Sequence, residues 1–392
     1  MKKLIVIASA LLLAITACSE QKAPVSSVEM ARQMGLGWNL GNQFDAFSDT
    51  NTTETAWGNP ATTQALFDSV AEEGFSTVRI PVTWLGHFGE APDCKIDEAW
   101  LDRIHEVAGY AEKAGLKAII NIHHDGADGR HWLDIKGAAN DSAVNARVKE
   151  QIAAIWTQIA RRFADKGDFL IFEGFNEIHD GGWGWGDNRN DGGRQYATLN
   201  EWNQTFVDAV RATGGNNATR FLGIPGYVTN PAITVEHLVL PQDTADDRLL
   251  VAVHFYDPNE FAINAKYTEW GKDADPDKKA PWGDEDNVDK VFDSLAEKFI
   301  KAGRGVYVGE FGATSRATEQ DEKFRLYYLD YVCRAGAKRG LSLIFWDNGS
   351  HATGHEAFGV FDHGDGSFIG ERGAKAARTM VRAYTEAAAP KP

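Results

Sequence analysis

A chain of 392 residues is long enough for two ordinary domains or for one large α/β barrel. Hydrophobic residues at 43% and charged residues at 24% exclude disorder or a fibrous fold for the bulk of it. The formal charge of −16, uninterrupted by any Lys/Arg cluster, would repel a phosphate backbone, so no nucleic-acid partner is expected.

The first segment, Met1–Ala17, has basic Lys2 and Lys3, an apolar run from Leu4 to Ile15, and small residues before Cys18. This is the anatomy of an export signal, too short for a spanning helix. Ile15-Thr16-Ala17-Cys18 resembles a bacterial lipobox. Residues 1–17 are therefore expected to be a lipoprotein signal peptide and Cys18 the lipidation site. An exported protein is implied, anchored at the outer membrane, cell surface or periplasm and touching a membrane only through its N-terminal lipid. Residues 18–27 read as a polar tether and residues 28–392 as one domain. Cys94 and Cys333 lack CxxC spacing and read as free thiols.

Eight apolar, β-rich runs follow: Leu36–Leu40, Phe75–Pro81, Lys117–Ile122, Phe169–Phe175, Arg220–Ile224, Leu249–Phe255, Gly305–Gly309 and Leu341–Trp346. Between them apolar residues recur at helical spacing, as in Val144, Val148, Ile152, Ile155, Ile159 and Phe163. Gly74, Gly115, Gly303 and Gly340 fall where helices should stop. Strands apolar throughout, alternating eight times with helices, predict a parallel sheet buried on both faces and closed into a single (β/α)8 TIM barrel. A doubly wound open sheet is the competing fold, but the first strand–helix turn has no GxGxxG.

In such a barrel the chemistry sits where strands finish. The runs end on Asn39 and Asn42, Arg79, His123-His124-Asp125, Asn176-Glu177, Pro225-Gly226, His254 and Tyr256, Glu310, and Trp346. Glu177 and Glu310 each follow an apolar strand, and a carboxylate there needs compensation, for which Arg79, His123, His254 and Tyr256 are at hand. Two such carboxylates are the equipment for glycoside hydrolysis. Arg79 and Tyr256 should favour the charged form of Glu310, whose charge should keep Glu177 protonated. Glu173 lies inside its strand, where packing or a salt bridge is the better reading.

Adjacent residues on a strand point to opposite sides, so His123 and His124 are not expected to share a metal, and neither metal nor cofactor is predicted. His123 should face inward and His124 lie on the rim; His87, His131 and His363 are assigned no role. Of twelve tryptophans, Trp57, Trp84, Trp132, Trp183, Trp185, Trp270, Trp282 and Trp346 fall at strand ends or in the loops after them, where they suggest platforms for sugar rings. Residues 181–193 (GGWGWGDNRNDGG) read as a flexible aromatic cleft wall.

GWNLGN (37–42), ETAWGNP (54–60), VRIPVTW (78–84), IINIHHD (119–125), FEGFNE (172–177), HFY (254–256), GEFG (309–312) and FWDNG (345–349) together resemble glycoside hydrolase family 5, in its endoglucanase-like branch. The likeness runs in order from about Met34 to Phe361. It implies an endo-β-1,4-glucanase that hydrolyses a β-linked polysaccharide or oligosaccharide with retention, Glu177 being acid/base and Glu310 nucleophile. By the same resemblance Asn176 binds the sugar 2-hydroxyl, Arg79 and Tyr256 hold the nucleophile, His123 and His254 line the cleavage subsite, and Trp346 stacks under the reacting ring. Asn42 and His124 are counted with the substrate-binding residues, and a monomer is expected. Gln43-Phe44 departs from the family's usual Thr-Leu or Thr-Met, which bears on a distal sugar contact. Xyloglucanase, mixed-linkage glucanase, mannanase or xylanase activity on the same scaffold is the alternative. A glycan-binding lipoprotein without turnover would usually have lost one of the two glutamates. A metal-dependent barrel hydrolase would be sensitive to chelators.

Overall fold

Short runs apolar on both faces satisfy their surfaces in a parallel sheet covered on both sides. The computed structural model describes residues 25–48, 52–126 and 131–389. In it the runs form β1 (Leu36–Leu40), β2 (Thr77–Ile80), β3 (Lys117–Asn121), β4 (Leu170–Glu173), β5 (Leu222–Pro225), β6 (Leu249–Phe255), β7 (Gly305–Phe311) and β8 (Ser342–Asp347). Each strand pairs in parallel with the next, and β8 returns to β1 with Ile344 opposite Gly37, closing the barrel in the order β1 to β8. The expected (β/α)8 architecture is the one found.

The covering layer includes α2 (Gln64–Glu73), α3 (Glu98–Lys113), α4 (Ile135–Asn140), α5 (Ser142–Arg162), α6 (Arg194–Ala212), α7 (Pro231–His237), α8 (Asn259–Ala262), α9 (Glu285–Leu295), α10 (Glu319–Arg339) and α11 (Gly370–Ala388). The stripe read from the sequence is the buried face of α5, with Val148, Ile152, Ile155, Trp156 and Ile159 inward. Asp141 caps that helix by accepting from Ala143 N. Gly74 ends α2 at φ 108°, a left-handed position that needs no Cβ. No helix among the described residues is long and apolar enough to cross a membrane.

Among the described residues one helix precedes β1. In α1 (Ser27–Met34), Met30, Ala31 and Met34 are buried in a cluster with the interior side chains Ile119, Ile171, Leu250, Tyr307 and Ile344. It plugs one end of the barrel. Ser27 is fully buried and donates from Oγ to Asp247 at 2.6 Å. The fold therefore takes in Ser26, the cap of α1, and Ser27, both of which the sequence pattern assigns to the tether. The expected signal peptide, residues 1–17, and Cys18 lie outside the described residues.

Strand alternation then sets a polar layer above the plug. Asn39, Arg79, Asn121 and Glu173, each two residues along from an interior small or apolar position, are almost completely buried, as is Tyr307. Gly223 on β5 makes room for this layer, because a Cβ there would collide with the Tyr307 hydroxyl.

Candidate active site

Arg79 organises the polar layer. Its guanidinium donates to Glu173 from Nη2 at 2.7 Å and from Nε at 3.2 Å, and from Nη1 to Glu310 Oε1 at 2.8 Å and Asn39 Oδ1 at 3.0 Å. Nη2 also donates to Asn176 Oδ1 at 2.8 Å, which turns that side chain toward the glutamates. Glu173 has the structural role expected of it, accepting further from Asn121 Nδ2 at 2.9 Å and the Tyr307 hydroxyl at 2.7 Å. Burial pushes its pKa up, but the charge and hydrogen bonds of Arg79 outweigh that and hold the carboxyl below its usual range. One buried cation thus serves two carboxylates, and a third can ionise here only beside a cluster that is already negative.

That third carboxylate is Glu177, in the loop after β4, and Glu310 faces it from β7. His254 Nδ1 on β6 lies 2.7 Å from Glu177 Oε1 and 3.6 Å from Glu310 Oε2. An oxygen of each glutamate and a nitrogen of His254 lie within 4.8 Å of one another. The Tyr256 hydroxyl donates to Glu310 Oε2 at 3.1 Å. Burial raises the Glu177 carboxyl to about 7, with Arg79 and a hydrogen bond to Thr229 opposing and Glu173 adding to the rise. This corrects the sequence expectation, which made the Glu310 charge responsible. Glu310 is itself raised by burial, against the pull of His254 and Arg79, which limit its pKa without bringing it below normal. Burial lowers the His254 ring to about 4, so it stands neutral between the two acids.

His123 faces inward as expected. Asn121 Nδ2 donates to its Nδ1 at 3.2 Å, leaving Nε2 toward Glu310 Oε1 at 3.9 Å. The Trp346 ring lies parallel to it, with centroids 5.9 Å apart. Gly41 provides space for that indole, since a Cβ would come within 2.8 Å of it. His124 sits on the rim beside Phe47 and Trp57, with centroids 5.8 and 5.7 Å away. Strand alternation does not separate the two histidines as expected, because β3 stops at Asn121. Donor atoms of Asp45, His123 and His124 come within 4.8 Å of one another, as do those of Glu177, His254 and Glu310. Asp45 also shapes the turn after β1, its carboxylate accepting from Asn42 N at 3.1 Å and Gln43 N at 2.7 Å.

In that turn Asn42 adopts φ 56° and its carbonyl accepts from Asn59. The asparagine of the motif that reaches the catalytic layer is Asn39, which joins Arg79 to the Gly309 carbonyl. Gln43 is completely buried, bonded to the Pro60 carbonyl and His363, so its departure from the family pattern concerns packing and not a sugar contact. Among the tryptophans, Trp57, Trp183, Trp185 and Trp282 are exposed. Trp84 and Trp270 are buried and spend their indole N–H on the Asn121 and Gly283 carbonyls, so these two are not platforms. The 181–193 loop is pinned, not loose, since Asp180 accepts from Gly182 N, Asn188 N and Gln195 Nε2.

Asn121, Tyr307 and Thr229 were missed from the sequence. Asn121 could have been found by counting two residues back from His123 on the same strand face. Tyr307 and Thr229 carry no such signal, because their roles depend on which residues the closed barrel sets opposite them.

The cellulase model of glycosyl hydrolase family 5 matches residues 40–352. Endoglucanase A of Paenibacillus barcinonensis is 36% identical over 355 residues, covering 86% of each chain. A GH5-4 broad specificity endoglucanase from Bacteroides salanitronis superimposes with a TM-score of 0.89 at 59% identity, covering 92% of this chain and 96% of that one. A family 5 xyloglucanase from Paenibacillus pabuli, solved with ligand, superimposes with a TM-score of 0.82 at 36% identity, over 92% of this chain and all of its own (100%).

Proposed function

The chain belongs to glycosyl hydrolase family 5, the cellulase family, and from that premise we propose an endo-β-1,4-glucanase that cleaves cellulose-type β-glucan with retention of configuration. The observation that carries the mechanism is the spacing of the two glutamates. Oxygens within 4.8 Å of each other suit direct attack by one carboxylate, whereas inversion needs roughly 6.5–9.5 Å between carboxyl groups to admit a water.

Glu310, aligned by Arg79 and Tyr256, attacks the anomeric carbon. Glu177, held protonated by burial up to about pH 7, gives its proton to the departing oxygen. Water then enters; Glu177, now ionised, removes its proton, and the glycosyl–Glu310 ester is released. Neutral His254 sets its Nδ1 2.7 Å from Glu177 Oε1 and 3.6 Å from Glu310 Oε2 and adds no charge between the two acids. Asn176, oriented by Arg79, is placed to meet the sugar 2-hydroxyl, and Trp346 and His123 offer a stacking floor. The test is the anomeric configuration of the first product, followed by NMR during hydrolysis of a soluble β-glucan. Retention is expected, and an inverted first product would remove Glu310 as nucleophile.

The xyloglucanase neighbour favours a wider range, so a panel of xyloglucan and mixed-linkage glucan belongs in the same assay. The lipobox-like segment supports export and anchoring through Cys18 as a surface or periplasmic lipoprotein. Wild-type protein from a lipidating host should partition into detergent, and Cys18→Ala should abolish that.

A further inference from the structure

His254 turns one ring nitrogen to the two glutamates and the other away from them. Nδ1 is 2.7 Å from Glu177 Oε1 and 3.6 Å from Glu310 Oε2. Nε2 is buried and has no hydrogen-bond partner among the described residues. The pairing of β6 with β7 supplies the reason. Val253 stands opposite Val308 but His254 opposite Glu310, so Gly309 is an extra residue, a bulge in β7. Tyr307 points into the barrel, and simple alternation would send Glu310 outward; the extra residue brings it inward, beside His254. The bulged Gly309 then lies against the far edge of the imidazole, where a Cβ would come within 3.2 Å of Nε2 and 3.4 Å of Cδ2. Its carbonyl is already engaged, accepting from Asn39 Nδ2 at 2.9 Å.

A neutral imidazole carries its proton on one nitrogen only, and burial keeps this ring neutral. A proton on Nε2 would be a buried N–H without an acceptor, which folded proteins rarely contain. It would also turn the bare Nδ1 lone pair on Glu310, the carboxylate that must be ionised to attack. A proton on Nδ1 removes both costs, because the N–H then points at Glu177 Oε1 with Glu310 Oε2 alongside, and the lone pair left on Nε2 rests against carbon. With Oε1 accepting from Nδ1–H, the acidic proton of Glu177 belongs on its other oxygen. We propose that His254 is a positioning residue held as the Nδ1–H tautomer, whose hydrogen bond to Oε1 of Glu177 confines the catalytic proton to Oε2. Oε2 gives that proton to the departing oxygen and takes one back from the attacking water, while the His254 proton stays on Nδ1 throughout. The bond to Oε1 is stronger when Glu177 is ionised, so it supports the base needed in the second half of the reaction.

This inference rests on the acid/base assignment of Glu177. The other charged and titratable groups facing the Glu177–His254 pair are Arg79 from β2, His123 just after β3, Glu173 from β4, Tyr256 just after β6 and Glu310 from β7. Neutron diffraction from deuterated crystals of the wild-type enzyme at pH 6 reads the protons directly. Deuterium is expected on His254 Nδ1 and Glu177 Oε2; deuterium on Nε2, or on Oε1, overturns the proposal. Kinetics give a second reading. His254→Leu fills the space without a donor and should move the alkaline limb of kcat/KM upward by about one pH unit. His254→Asn, whose amide reaches the Nδ1 position, should leave the limb close to that of the wild type. A limb that stays put in the leucine variant, or travels as far in the asparagine variant as in the leucine one, overturns the proposal as well. Glu177→Gln separates the tautomer from the assignment beneath it. If it erases the alkaline limb while deuterium lies on Nε2, the tautomer alone is refuted; if it leaves the limb intact, the acid/base reading falls and takes the role of His254 with it.

Discussion

Glu177 is a carboxyl raised by burial to about 7 from an ordinary 4.5, so the folded protein holds its proton more tightly than the unfolded chain does. With the folded value above the unfolded one, the neutral acid is tolerated below about pH 4.5, and stability is lost as pH rises toward 7. A shift of about 2.5 units at 1.36 kcal/mol each makes the ionised carboxylate about 3 kcal/mol unfavourable to the fold at pH 8. At pH 5 the same linkage amounts to about 1 kcal/mol. Glu177→Gln keeps the shape and removes the charge, so it should stabilise the protein by those amounts. At roughly 2 cal/mol/K of unfolding entropy per residue, 3 kcal/mol is worth about 4 °C in Tm for a domain of this size. Activity should move the other way, falling about 10²–10⁴-fold on a sugar leaving group and far less on an activated aryl glycoside. Calorimetric melts of both proteins from pH 5 to pH 8 give the difference directly. A Tm gain that is flat across this range, or a loss at pH 8, would refute the claim that Glu177 is the buried acid.

Glu310→Gln should abolish turnover on every substrate, and a small external nucleophile such as azide should restore activity with an inverted product; a rescued product of retained configuration would contradict the assignment. Glu173→Gln leaves Arg79 still paired with Glu310 but takes away its bidentate charged acceptor, and should cost about 1–3 kcal/mol at pH 7; a variant melting with the wild type would show that pair to be dispensable. Exhaustive chelation should leave both rate and fold unchanged, since each step is carboxylate chemistry; a loss restored by a divalent ion would turn attention to Asp45, His123 and His124.

The sequence by itself determined the barrel and most of the catalytic constellation. Eight apolar runs separated by one-sided helices can bury their surfaces in few ways, and in a parallel barrel the residue after each strand is delivered to one face. Glu177, Arg79, His254 and Glu310 were legible because each lies at or just beyond the C-terminal end of its strand, which the end of an apolar run marks. The tertiary structure decided which side chains meet around the barrel and how deeply each is buried. The sequence suggested that the Glu310 charge keeps Glu177 protonated, but a pKa depends on the water excluded from a site, and that exclusion exists only once eight strands have closed. The role of Tyr307 belongs to the same class. Tyr307 reaches Glu173 because Gly223 across the barrel yields the space. His123 and His124 converge on Asp45 because β3 ends at Asn121, before either histidine, so strand alternation does not reach them. Contacts of this kind join residues far apart in the chain, and the local pattern of residues does not encode them.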